Sequence, residues 1–292
     1  GVPQRRGLER VVHADERSRQ VRHLAELGEE AVGQQDDVFA AAAQRWHLDL
    51  DHIKAEVEVF AEQPAAPAKV YRWKLITTWP KNLPALGTAP ERMADQLRIM
   101  SNGRLDIHVY GAGELVGPFE VFDAVSQGTA ELGHGAAYYW RGKIPVAAMF
   151  STVPFGMNAQ EMNGWLQYGG GMALWREAYA PFGLIPLAAG NSGVQMAGLF
   201  NKEINSIADL KGLKMRIPGL GGEVLQAAGG VPVALPAGEI FTSLQTGVID
   251  ATEWVGPYND LALGLHTVAK YYYYPGWHEP GPTMEMIVNQ RA

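Results

Sequence analysis

A chain of 292 residues, 47% of them hydrophobic, can bury the cores of two lobes of ordinary domain size. A net charge of −7 with no long basic run argues against a nucleic-acid surface, and the absence of cysteine excludes disulfides, thiolate metal sites and cysteine nucleophiles. No apolar run reaches the length of a membrane span, and residues 1–22 are arginine-rich without the apolar stretch of a signal peptide.

Composition changes near residue 69, with roughly a third of residues charged before it and about a seventh after it. Residues 8–27 and 36–60 read as polar helices that would bury little surface. Gln63-Pro64-Ala65-Ala66-Pro67-Ala68 reads as a linker. The segment 1–69 is therefore expected to be a loosely helical or disordered extension, with a partner-binding arm as the alternative.

From residue 70 the pattern is α/β. Residues 70–79 alternate as a strand that stops at Pro80; 90–100 form an amphipathic helix closed by Asn102-Gly103. A strand over 104–110, a helix over 118–127 and a strand over 131–138 follow. Helices are expected over 159–168 and 171–179, then strands over 184–189, 194–200 and 214–217. Helices over 222–228 and 238–246 flank a strand over 231–235, and 271–274 reads as a strand. Strands alternating with helices of this length point to mixed or parallel sheets covered on both faces. Residues 122–131 and 241–250 echo each other: each is a helix end, a glycine cap (Gly128, Gly247) and an entry into a strand. Ligands of open α/β sheets sit beyond such strand ends.

Arg216 ends a β-like run, just before Pro218-Gly219 and a glycine-rich segment that should open a helix. A planar guanidinium beside a helix N-terminus suits a small carboxylate. Taken alone, Arg216 reads first as a surface or structural salt-bridge residue, Glu253 as an ordinary strand-end acid and Gln195 as an ordinary polar strand residue. Tyr138, Tyr139 and Trp140 offer hydroxyls and a wall, or core packing; Trp79 and Asn191 are further candidates for the cleft. Gly219-Leu220-Gly221-Gly222 lacks the spacing of a phosphate loop, and no His-Glu-x-x-His or Gly-x-Ser-x-Gly pattern occurs. The histidines show no metal spacing, and the adjacent His278 and Glu279 would diverge unless their loop curls. A metal-assisted enzyme with Glu253 as general base is the competing class.

Several stretches carry a resemblance: Thr77-Thr78-Trp79-Pro80-Lys81-Asn82, Ala136-Ala137-Tyr138-Tyr139-Trp140, Val153-Pro154-Phe155-Gly156-Met157, residues 209–219 and Glu253-Trp254-Val255-Gly256-Pro257. Over about three quarters of its length, from about Ala68, the chain resembles the periplasmic solute-binding proteins of TRAP transporters, the DctP family, and most of all the branch that binds 2-oxo acids such as pyruvate. The resemblance implies two α/β lobes closing over ligand, one holding 70–189 plus 250–282 and the other 190–249 plus 283–292. It implies Arg216 on the substrate carboxylate, and Gln195, Glu253 and the Trp254 carbonyl on a sodium ion, with calcium as the alternative. Ligand and ion would then bridge the lobes, since Glu253 falls in the first and Gln195 and Arg216 in the second. Lactate, another hydroxy acid or a dicarboxylate are alternative ligands. The implied partners are the TRAP membrane permease and, as in some relatives, a second copy of the chain; the implied location is the periplasm. Members carry a signal peptide directly before the first strand and continue well beyond the strand over 284–289. Residues 1–62 are therefore expected to come from a wrong start or fused reading frame, and a chain ending at Ala292 to have reduced stability.

Overall fold

The computed structural model describes residues 69–292, so the polar helices expected over 8–27 and 36–60 and the linker lie outside the described residues. Two five-stranded sheets organise the chain. The first has the order β2 (Leu105–Tyr110), β1 (Tyr71–Thr77), β3 (Leu132–Ala136), β10 (Thr283–Asn289), β4 (Leu184–Asn191). The second has the order β7 (Val231–Val233), β6 (Lys214–Arg216), β8 (Ala251–Thr252), β5 (Gly198–Phe200), β9 (Tyr271–Tyr273). Both sheets are mixed: β10 runs antiparallel to β3 and β4, and β5 antiparallel to β8 and β9.

Among the described residues each helix expected from the sequence is present with small shifts at its ends, and one helix, over 257–262, has no counterpart in that reading. Helix α1 (Thr88–Met100) ends at the expected cap, with left-handed Asn102 and Gly103 and the Gly103 amide donating to the Arg98 carbonyl at 2.8 Å. The 118–127 helix is a 3₁₀ turn followed by α2 (Val121–Ser126). Asn158 and Glu161 form a capping box for α3 (Ala159–Tyr168), which leads into α4 (Gly171–Tyr179). Helices α5 (Gly219–Ala227), α6 (Ala237–Gln245) and α7 (Pro257–Ala262) belong to the second half.

The internal echo is structural. Helix α2 passes through left-handed Gly128 into β3, and α6 passes through left-handed Gly247 towards β8. One path ends at Tyr138 and Tyr139, the other at Glu253 and Trp254. The strand expected over 194–200 is confined to 198–200, because Gln195, Met196 and Ala197 donate their amides to Glu279, Val255 and Tyr273 instead.

The expected division of the C-terminal half is reversed. Residues 251–252 and 271–273 pair in the second sheet, whereas 283–289 form a strand of the first. The run Thr283–Asn289 is buried at all but one position, as a strand covered on both faces must be, and β3 and β4 flank it. Local pattern alone gives no partner for such a run.

The first core gathers Phe122, Trp140, Phe150, Trp175 and Tyr179, with Phe150 and Trp175 stacked at 5.3 Å. A second cluster joins the two sheets, bringing Trp79, Tyr138 and Met284 against Leu199, Ile240 and Trp254. Within the first core, Glu285 of β10 accepts hydrogen bonds from Trp140 Nε1 and from the Tyr179 hydroxyl, the latter at 2.9 Å. Burial outweighs both and pushes its carboxyl from 4.5 up to about 7. The folded state thus holds this proton more tightly than the unfolded chain does. Its contribution is full below about pH 4.5 and is lost as pH rises through about 7, on the order of 3 kcal/mol. Glu285→Gln is expected to flatten this slope and to raise stability at pH 8. Urea melts at pH 5 and pH 8 read it directly; a slope unchanged by the substitution would contradict the assignment.

Candidate functional site

The site is built where the second sheet meets the end of β3. Arg216 closes β6, and Glu253 follows β8, the strand beside it; the Glu253 amide donates to the Arg216 carbonyl at 3.2 Å. The Arg216 side chain is only 2% exposed. Its Nε donates to the Leu235 carbonyl at 3.1 Å and its Nη2 to the Tyr139 hydroxyl at 3.3 Å. Nη1 pairs with the Glu253 carboxylate and also reaches the Glu253 carbonyl at 3.3 Å. The guanidinium lies 5.0 Å from the Trp254 ring centre. Burial opposes its charge, but Glu253 and the neighbouring phenols outweigh burial and raise its pKa above the ordinary value.

The loop that carries His278 and Glu279 does curl, and the two residues do not diverge. The loop before them curls back on Gln195: the Gly276 amide donates to the Gln195 carbonyl at 3.0 Å and the Gln195 amide to the Glu279 carbonyl at 3.1 Å. A Cβ on Gly276 would stand 2.3 Å from that Gln195 oxygen, so only glycine fits this approach. His278 Nε2 sits 3.3 Å from Glu253 Oε2, and Gln195 Nε2 donates to Glu279 Oε2 at 2.7 Å. Glu253, His278 and Glu279, all buried, hold ligand atoms within 4.8 Å of one another. The sequence signal for this curl was Pro275-Gly276, a turn pair directly ahead of the two residues.

Two buried carboxylates thus face one guanidinium. Burial, then the charge of Glu253, holds the Glu279 carboxyl well above its usual range. Gln195 Oε1 is buried without a hydrogen-bond partner among the described residues. An orphaned amide oxygen beside two carboxylates is an oxygen-rich donor set that suits a hard cation, to which His278 of the same cluster adds one nitrogen. The residues present fit a sodium or calcium ion.

Tyr138 and Tyr139 approach from the first sheet. Burial pushes the Tyr139 phenol up to about 12 and the Tyr138 phenol well above its ordinary range, so both keep their protons. Tyr139 accepts from Arg216 and still has a proton to donate. A 400 Å³ cavity opens here, lined by both tyrosines, Phe119, Arg141, residues 217–219 and the start of α5. Across its mouth Arg141 pairs with Glu223 of α5. Tyr139 on Arg216 and Arg141 on Glu223 add polar links between the two halves to the apolar cluster that joins them. Glu253 and Arg216 share one sheet, contrary to the expected split between lobes. Asn191 is not gathered with them. Its amide donates to the Gly281 carbonyl and its oxygen accepts from the Gly193 amide, both at 2.8 Å, and it lines a separate 240 Å³ cavity.

Residues 75–292 match the family described as bacterial extracellular solute-binding protein, family 7 (DctP). The chain is 52% identical over 221 residues to a monocarboxylate 2-oxoacid-binding periplasmic protein of Nostoc sp., covering 76% of this chain and 60% of that relative. The chain therefore spans under two thirds of that relative's length. A TRAP periplasmic solute-binding protein of Pseudoalteromonas atlantica, solved with bound sodium and pyruvate, is 48% identical with a TM-score of 0.74. One from Colwellia psychrerythraea, solved with calcium and pyruvate, is 49% identical with the same TM-score. Each alignment covers 76% of this chain and 68% of the solved one. On the match across residues 75–292 and these relatives, the chain belongs to the bacterial extracellular solute-binding proteins of family 7, the DctP family.

Proposed function

We propose that this chain captures a small 2-oxo monocarboxylate of the pyruvate type together with a bridging cation, outside the cytoplasm, and delivers it to a TRAP membrane permease. The observation that carries this reading is the buried cluster of Glu253, His278 and Glu279, with the orphaned Gln195 oxygen, beside the Arg216 fork. Arg216 would hold the substrate carboxylate, releasing part of its pairing with Glu253. Tyr139 would donate its hydroxyl proton to a substrate oxygen, and Trp254 would wall the site beneath the guanidinium. Gln195, Glu253, Glu279 and the Trp254 carbonyl would hold the ion, with the Gln195 amide turned so that its oxygen faces inward. A bound cation supplies the positive charge that two buried carboxylates and an anionic ligand require.

The relatives' ligands, pyruvate with sodium in one and calcium in the other, support both the acid and the ion. Family membership supports capture and release over turnover, with Glu253 as a ligand and not a general base. Among the described residues no helix is long and apolar enough to cross a membrane. Thermal-shift assays with pyruvate, lactate and succinate, each in sodium, calcium and chelated potassium buffer, test the proposal. Pyruvate is expected to raise the midpoint most, and only with sodium or calcium; an equal rise in chelated potassium would overturn the cation's role.

A further inference from the structure

We infer that Asp260 is a positioning residue for the cation: its carboxylate holds the peptide that joins Trp254 to Val255 and so presents the Trp254 carbonyl to the ion. The inference rests on the function proposed above and goes beyond it by giving that carbonyl a support. The carbonyls on either side of it are occupied. The Glu253 oxygen accepts from the Thr252 hydroxyl at 2.9 Å and from Arg216 at 3.3 Å, and the Val255 oxygen accepts from the Met196 amide at 2.9 Å. The Trp254 oxygen between them accepts no hydrogen bond among the described residues. It is the backbone oxygen left open beside Glu253, a member of the buried cluster.

The other edge of the same peptide is held. Val255 donates its amide to Asp260 Oδ1 at 3.1 Å, across the Gly256-Pro257 turn that opens α7. A trans peptide is planar, so its C=O and N–H point opposite ways and turn together. Fixing the N–H on Asp260 therefore fixes the direction of the Trp254 carbonyl. An acceptor on the N–H also polarises the group and strengthens its oxygen as a ligand. Asp260 is itself fixed: it is 3% exposed, its Oδ2 accepts from the hydroxyl of Tyr272 on β9, and its amide donates to the Gly256 carbonyl at 2.9 Å. It lies outside the cluster of Glu253, His278 and Glu279, so it acts at one remove, through the peptide. The same bond steadies the start of α7; that role alone would affect stability and leave the cation untouched.

The pair Trp-Val occurs once in the chain, at 254–255. Full-length protein carrying ¹³C-carbonyl tryptophan and ¹⁵N valine therefore gives one HNCO peak that reports both edges of this peptide. Titration with calcium at saturating pyruvate is expected to shift its carbonyl carbon and to move the Val255 amide proton downfield in step. Asp260→Ala is expected to weaken calcium binding by roughly ten- to a hundredfold and to move the amide proton upfield, with pyruvate affinity at saturating calcium nearly unchanged. Asp260→Asn is expected to restore the peak and most of the affinity, since its oxygen can take the Val255 N–H while its amide group donates to the Tyr272 hydroxyl. The wild-type peak carries the test should the alanine variant fail to fold. A carbonyl carbon that stays in place while calorimetry shows calcium and pyruvate bound would overturn the positioning role and leave the proposed function standing. So would an alanine variant that loses stability with calcium affinity intact, or an asparagine variant as weak as alanine. A folded wild type that binds neither calcium nor pyruvate would overturn both.

Discussion

Arg216→Met is expected to abolish pyruvate binding and to lower stability by about 3–5 kcal/mol, the usual result of breaking a buried ion pair from one side. The guanidinium satisfies the Leu235 carbonyl, the Glu253 carbonyl and carboxylate, and the Tyr139 hydroxyl at once. Methionine fills similar space and supplies none of those donors. Glu253 would then lie 1% exposed without its guanidinium partner, next to a second buried carboxylate. Arg216→Lys separates charge from shape: it keeps a cation, loses the fork, and is expected to bind pyruvate weakly. Chemical denaturation and calorimetry in one buffer read both effects. Wild-type affinity in the methionine variant would remove Arg216 from the site; lost affinity at unchanged stability would mean that its pairing with Glu253 contributes little to the fold.

Glu279→Gln is expected to weaken calcium binding by on the order of a hundredfold, and sodium binding much less, because ligand charge count sets affinity for hard cations. The carboxylates of Glu253 and Glu279 against Arg216 leave one net negative charge; an anionic ligand makes two. Calcium neutralises that sum and sodium leaves one negative charge, so removing one carboxylate favours sodium. A proton-linked readout accompanies the change. Burial and Glu253 keep the Glu279 carboxyl well above its ordinary range, so binding a cation is expected to release its proton. Calorimetric enthalpies in buffers of different ionisation heat should show that release in wild type and not in Glu279→Gln. Equal proton release in both would assign it to another group.

Local pattern carried most of the elements and part of the site. Alternation over 70–79, the Asn102-Gly103 stop and the echo between 122–131 and 241–250 each correspond to a structural unit, because each is decided by neighbours in sequence. Arg216, Gln195 and Glu253 were identified through their matching context, and the fold brings Arg216 and Glu253 into contact and Gln195 onto Glu279. Three things were not legible. Sheet order is a long-range property, so the place of Thr283–Asn289 between β3 and β4 could not be read from a seven-residue run that mixes Met and Ile with Thr283, Glu285 and Asn289. The inward turn of His278 and Glu279 depends on Gly276 pressed against Gln195, a contact between residues 81 positions apart in the chain. Asn191 has the chemistry of a ligand, but the fold sets its amide on the turn at 191–193 and the Gly281 carbonyl, apart from the Arg216 cluster.

The consequence for mechanism is a shift in what closes the cleft. Arg216 and Glu253 belong to the second sheet's strand ends, while Gln195 and Glu279 lie on the two segments that cross between the sheets, so the second half with these crossings would hold acid and ion. Tyr138, Tyr139 and Arg141 of the first half would then complete the enclosure. Such an order lets a ligand favour the closed form through its contacts with the tyrosines.

A crystal of this chain grown with calcium and pyruvate tests the central claim most directly. The account predicts a calcium peak at about 2.3–2.6 Å from side-chain oxygens of Gln195, Glu253 and Glu279, with the pyruvate carboxylate on the Arg216 fork. A pyruvate bound away from Arg216, or a calcium ion held by other residues, would contradict it.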